Sequence, residues 1–180
     1  MDETLREELL DSEIVYAGDV VTLVKDTVRL PTGAVAVRET VKHRGVVAML
    51  PLLDEAVIMV RQYRHACGKP LLELPAGTLN PGEDPDAAAR RELIEETGYA
   101  PGRLTRLLHF YVSPGHCSEE VYLYLATDLA PAAQALEADE VIHVERVEVA
   151  TALRLIEEQA MEDAKSIAGI LYYVTYCRGR

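Results

Sequence analysis

Glu92, Glu95 and Glu96 stand three and four residues apart in the stretch "RRELIEETGY". On a helix, like charges at these separations repel one another, so their crowding needs a reason. At about 100° per residue the three carboxylates share one arc of about 100°, while Leu93 and Ile94 point elsewhere and can pack on a sheet. Carboxylates converging on one small volume suit a hard divalent cation, which prefers carboxylate, carbonyl and water oxygens and turns the repulsion into affinity. The competing interpretation is an acidic helix face that meets only water. The surrounding residues have to decide.

The helix that carries them is well delimited. Asp84 supplies a side-chain acceptor at the N-cap, Pro85 presets the first helical position, and Gly98 suits a left-handed C-terminal cap. Before it, "IVYAGDVVTLVKDTVRL" from Ile14, "AVAVRETVKH", "GVVAMLPLL" and "AVIMVRQYR" are rich in β-branched residues and nearly alternate, as strands do. After it come "RLTRLLHFYVSPG" and "EEVYLYLATDL" as two more strands and "DEVIHVERVEV" as another. The C-terminal segment from Val149 reads as two helices separated near Met161 to Asp163. Strands on both sides of a central helix, with helices at the end, predict a mixed sheet covered by helices, an α/β fold.

Spacing beyond the helix settles the choice for the glutamates. Gly77, five residues, Glu83, seven residues and then "RELIEETGY" form the pattern G-x5-E-x7-R-E-U-x-E-E-x-G-U, where U is bulky and apolar. Seven fixed positions, each filled at a background of about 7%, coincide by chance in about one in a million chains of this size. On these residues the chain resembles the Nudix hydrolase family, with Tyr99 an aromatic variant at the last apolar position. The resemblance implies an α/β/α sandwich whose box forms a loop–helix–loop holding Mg²⁺ or Mn²⁺. It further implies Glu92 and Glu96 as metal ligands, Glu95 as a further ligand or water-holding carboxylate, and the Ala76 carbonyl as another donor. Glu83 would pair with Arg91 and fix the loop against the helix. The chemistry expected is hydrolysis of a nucleoside diphosphate linked to some group X, since cations in such a site neutralise a pyrophosphate and activate water.

Three stretches outside the box bear on X. In "VRQYRHACGKPLLELPAG", Arg61 and Arg64 sit on a strand where guanidinium groups can grip phosphate oxygens, or merely serve as edge-strand charges. The run is similar to the "RQYR…ELPAG" stretch of ADP-ribose pyrophosphatases within the family; Glu73 there is a substrate or metal contact or an outward strand residue. In "YVSPGHCSEE", Ser-Pro-Gly alone is a turn. The same comparison implies that Gly115 and Ser118 line the substrate and Glu119 lies near the metals. His116 is read as an exposed loop histidine. In "ALEADEVIHVERV" the resemblance implies a carboxylate that positions or deprotonates the attacking water. Glu140 is the candidate, with Glu137 and Asp139 as rivals, against an acidic solvent loop.

Residues 1–44 lie outside the core pattern and read as an N-terminal β extension; the resemblance implies that residues 45–180 form the Nudix domain. In ADP-ribose pyrophosphatases a comparable extension crosses to a partner chain, which implies a homodimer in which Tyr16 and Arg38 contact base or phosphate. Arg44 stands where relatives carry the proline of an "HPG" turn.

The formal net charge of −12 argues against nucleic acid and anionic membranes as partners, since both are polyanions. Three scattered cysteines read as free, mostly buried thiols of a reducing compartment. The acidic start "MDETLREELLDSE" is unlike a secretory signal, and no apolar run reaches the ~18 residues of a membrane span. The expectation is a cytoplasmic enzyme that hydrolyses ADP-ribose. Its rivals are a nucleotide-sugar pyrophosphatase of the GDP-mannose kind, and a non-catalytic ADP-ribose sensor, whose usual mark would be a damaged box.

Overall fold

The computed structural model describes residues 3–179. The chain divides into two compact units: one runs up to Arg44 and adds Tyr111–Glu120, and the other comprises Gly45–Phe110 with Val121 onward.

The first unit holds an antiparallel sheet in the order β1 (Glu8–Ala17), β2 (Val21–Arg29), β3 (Val35–His43). β1 begins earlier than the Ile14 start its apolar residues suggest, because its first half is held by polar pairing. Arg29 donates to Glu8 at 2.7 Å and Ser12 to Asp26 at 2.6 Å across the β1–β2 ladder. A strand exposed along its whole length has no apolar alternation to read.

The second unit is built on a mixed sheet of seven strands. Its path runs β10 (Ile142–Glu148), β5 (Ala56–Arg64), β4 (Val46–Leu53), β9 (Glu120–Pro131), β8 (Tyr99–Tyr111), with β6 (Lys69–Glu73) on β5 and β7 (Ala76–Thr78) on β4. β4 lies parallel to β9 and antiparallel to β5 and β7. The near-continuous apolar run of β4 follows from burial on both faces. Val46, Ala48 and Leu50 join one core cluster, with Ala152 and Ile170 of the helices α2 (Val149–Glu157) and α3 (Ala164–Tyr172). Val47 and Met49 join the other, under Ala88, Ala89 and Leu93 of α1 (Pro85–Thr97). Alternate residues of one strand thus face different helices, and the unit is an α/β/α sandwich.

Local chemistry delimits α1 as its sequence predicts. Asp84 accepts from the backbone N–H of Asp86 and Ala87, Pro85 opens the helix, and Gly98 closes it at φ 72°. The two alanines let α1 approach the sheet closely. Leu93, fully buried, contributes about 1.5–3 kcal/mol. β8 starts directly after the cap at Tyr99 and continues through Pro101-Gly102, so it is longer than an Arg103 start predicts. The three cysteines are unpaired, as expected, but Cys67 is exposed and Cys117 and Cys177 are only half-buried. Among the described residues no helix is long and apolar enough to cross a membrane.

Candidate active site

The site grows from the contact between α1 and the bend that joins β6 to β7. Every backbone group named here has a definite partner. Leu74 N–H donates to Ser166 Oγ at 2.7 Å, the Pro75 carbonyl accepts from Met49 N–H at 2.9 Å, and Ala76 N–H donates to Glu96 Oε2 at 2.9 Å. Hydrogen bonds from three different elements therefore hold the bend. Glu96, only 3% exposed, is pinned against it. Burial pushes its carboxyl up to about 8, the Ala76 hydrogen bond working against that and the charges of Glu92 and Glu140 adding to it. Glu92 lies against Gly77 so closely that a Cβ on Gly77 would stand 1.9 Å from its carboxyl carbon. Burial raises this carboxyl too, with Arg91 opposing and Glu95 and Glu140 reinforcing.

Arg91 is the counter-charge. Its Nε and Nη2 donate to the two oxygens of Glu83 at 3.0 and 3.1 Å, and its Nη1 reaches Glu92 and Glu95, each at 2.8 Å. Glu83 also accepts from Asn80 N–H at 2.9 Å, so the Glu83–Arg91 pair ties the loop to the helix. Among the described residues no three acidic, histidine or cysteine side chains are gathered as a ready-made metal cage, and Arg91 is paired with both Glu92 and Glu95. The donor set still fits a hard divalent cation. Two carboxylates, Glu92 half-buried and Glu96 buried, stand beside a glycine that leaves room for them, next to the Ala76 backbone.

Two further charges converge on these glutamates. Arg64 and Glu96 act on each other electrostatically, and Glu140 acts on both Glu92 and Glu96. Glu140 arrives there because the chain after β9 is tied to the end of α1. Ala132 N–H donates to the Gly98 carbonyl, Ala135 N–H to that of Glu95, and Gln134 Nε2 to that of Glu96 at 2.6 Å. These bonds satisfy carbonyls that a helix end leaves open. Glu140 is half-buried and accepts from Glu137 N–H at 2.9 Å, while Glu137 and Asp139 are exposed.

Residues 42–169 match the NUDIX domain. The chain belongs to the Nudix family. Along 94% of both chains it is 40% identical to an ADP-ribose pyrophosphatase of Bacillus subtilis. It is 37% identical to a methanol dehydrogenase activator of Bacillus methanolicus, covering 96% of this chain and 95% of that one. A crystal structure of an ADP compounds hydrolase superposes with a TM-score of 0.87 at 25% identity, covering 97% of this chain and 96% of the other.

Around the Nudix box the remaining candidates fall into separate places. Arg61 and Arg64, an odd number of residues apart, leave β5 on opposite faces. Arg61 donates to Glu145 of β10 at 2.5 and 3.2 Å. Arg64 grips Glu73 along one edge, Nε to Oε1 at 2.7 Å and Nη2 to Oε2 at 2.8 Å. Glu73 itself is 1% exposed. Burial raises its carboxyl, but the bonds from Arg64 and the charge of Lys165 outweigh this and hold it below the usual carboxylate range.

In the first unit, Gly115 and Ser118 line a cavity of about 500 Å³ together with Arg38, Thr40, Tyr111 and His116. Ser118 Oγ accepts from His43 N–H at 3.0 Å, and the Glu119 carbonyl accepts from Val112 N–H. Arg38 is paired with Glu7 at 2.6 and 3.1 Å.

Sequence reasoning overlooks Gln134, Asp163, Lys165 and Ser166. Only Asp163 carries a local signal, as the N-cap of α3, where it accepts from Ser166 N–H. Lys165 and Ser166 act on Glu73 and Leu74, each 92 residues away in the chain, a separation no local pattern records.

Proposed function

We propose that this protein is a Mg²⁺-dependent pyrophosphatase that hydrolyses ADP-ribose to AMP and ribose 5-phosphate. The observation that carries the reading is the pair of box carboxylates seated on the bend, Glu92 against Gly77 and Glu96 on the Ala76 N–H, with Arg64 and Glu140 in electrostatic reach of Glu96. Likeness along nearly the whole chain to a protein named for ADP-ribose hydrolysis supports the substrate.

In this reading Glu92, Glu96 and the Ala76 carbonyl hold the cation, and Glu95 is a further ligand or holds water. When bound, the cation supplies positive charge for the pyrophosphate oxygens and makes a nearby water more acidic. Arg91, locked to Glu83, keeps the glutamate face of α1 turned toward the bend. Arg64 orients the pyrophosphate; Arg61, engaged with Glu145, is the lesser contributor. Glu140 accepts the proton of the attacking water as the water oxygen bonds to phosphorus and the bridging P–O bond breaks. The leaving group departs as a phosphate monoester anion and needs no proton. Gly115, Ser118 and Glu119 of the first unit are the substrate contacts that the likeness to ADP-ribose pyrophosphatases implies.

The same reading makes the protein a cytoplasmic homodimer with no nucleic-acid or membrane partner. Exposed Leu9, Ile14, Val15 and Tyr16 on β1 and Val35 and Val37 on β3 give the first unit an apolar surface suited to a second copy. Light scattering on the purified protein should give twice the chain mass; a monomer mass at micromolar concentration sinks this part.

Product analysis tests the activity. Incubation with Mg²⁺ and ADP-ribose, GDP-mannose, ADP-glucose, NADH or diadenosine polyphosphates should release AMP fastest from ADP-ribose. GMP from GDP-mannose instead would keep the chemistry and overturn the substrate. ADP-ribose bound but uncleaved would make the protein a sensor.

A further inference from the structure

Glu73 joins Arg64 to an ionic group whose other members, Lys165 and Asp163, have no part in the chemistry described so far. Glu73 Oε2 accepts not only from Arg64 but also from Lys165 Nζ, at 2.5 Å. Lys165, 13% exposed at its side chain, donates as well to Asp163 Oδ1 at 2.9 Å. Asp163 in turn caps α3 through Ser166 N–H at 3.0 Å and accepts from the Ser166 hydroxyl, whose oxygen receives Leu74 N–H. α3 is pressed onto β6 at this point: a Cβ on Gly169 would meet Leu74 Cδ1 at 2.9 Å.

A staple between α3 and β6 would need only Lys165, Glu73 and the Ser166–Leu74 bond. The group contains a further member, the guanidinium of Arg64 from β5, and this is the cation whose charge acts on Glu96 at the box. A guanidinium gripped along its Nε–Nη2 edge still has its Nη1 end to offer an anion. Its direction is set by the plane of the carboxylate that grips it. Arg64 already occupies both oxygens of Glu73, so the pair could turn together unless a third group anchors the carboxylate, and Lys165 does so through Oε2.

We propose that Lys165 is a positioning residue: through Glu73 it aims Arg64 at the pyrophosphate before substrate arrives. The inference rests on the reading of Arg64 as the phosphate-orienting arginine. Pre-setting a long, flexible side chain removes its ordering from the cost of binding. The signature is therefore weaker binding with the chemical step preserved.

The experiment compares wild type, Lys165→Met, which keeps the stem and removes the charge, and Lys165→Arg, which restores charge and donors. Lys165→Met should raise KM for ADP-ribose about tenfold with kcat within about twofold, the pattern of lost uniform binding at a supporting residue. Lys165→Arg should recover most of the loss. In an Arg64→Ala background Lys165→Met should add less than about a twofold change, because the two act as one unit. The Arg64 Nε–H resonance, recorded without substrate or metal, should be distinct and slow to exchange in wild type and move to the exposed-arginine position in Lys165→Met. An unchanged KM with an unchanged resonance overturns the proposal. So does a Lys165→Met effect that is fully additive with Arg64→Ala, since Lys165 then acts on the fold alone. If Lys165→Met does not fold, Lys165→Gln carries the same comparison. If wild type cleaves no ADP-ribose, the functional reading fails, and the Arg64 resonance still decides whether Lys165 holds the arginine.

Discussion

Glu96→Gln lowers turnover by roughly 10³-fold while leaving the fold intact, the expected result with the largest effect. The substitution keeps shape and keeps an oxygen for the Ala76 N–H, which donates at 2.9 Å. It removes one of the charges that a divalent cation needs, in a site where charge stabilisation is worth several kcal/mol and each ~1.4 kcal/mol is tenfold in rate. Burial already works against the Glu96 charge in the absence of a cation, so the neutral amide should leave the melting temperature in EDTA close to that of wild type. Added Mg²⁺ should raise the wild-type melting temperature by mass action and the variant's far less. Turnover within tenfold of wild type at saturating Mg²⁺ would remove Glu96 from the metal site.

Gly77→Ala is the second. A methyl group there would stand 1.9 Å from the Glu92 carboxyl carbon and 2.2 and 2.3 Å from its oxygens. The obstacle is the far end of a flexible side chain, so the backbone stays and Glu92 moves. Gly77 does not use the left-handed region, and alanine restricts the unfolded chain, so stability should hold or rise by about 0.4–1 kcal/mol. Displacement of Glu92, a proposed ligand, by an ångström or more should cost on the order of 10² in kcat/KM and shift half-maximal activation to higher Mg²⁺. A variant with wild-type activity and the same Mg²⁺ dependence would show that Glu92 is not needed where it lies. Together the two substitutions separate charge from position at the same helix face.

Both tests concern residues that are legible in the chain without coordinates. The box is local: Gly77, Glu83, Arg91, Glu92, Glu95, Glu96 and Gly98 lie within one loop and one helix, so helix periodicity and capping chemistry alone bring their side chains together. The sandwich is legible for a related reason. Continuous apolar strands and bounded helices must bury their faces against each other. The start of β1 is not legible, because a wholly exposed strand held by Glu8–Arg29 and Ser12–Asp26 carries no burial pattern.

Tertiary structure decides what depends on contacts between distant segments. Among three nearby acids it brings Glu140, not the exposed Glu137 or Asp139, into electrostatic reach of Glu92 and Glu96, by tying residues 132–135 to the end of α1. It sends Arg61 to Glu145 and Arg64 to Glu73, a division fixed by strand register and the order of β10, β5 and β6 in the sheet. It also supplies Lys165 from 92 residues away. By itself the sequence determined the reaction class and the helix that carries it, since those rest on spacing along one element. The partners of each charge were decided by packing, because an ion pair is set by distance in space and low local dielectric, and neither is written in neighbouring residues.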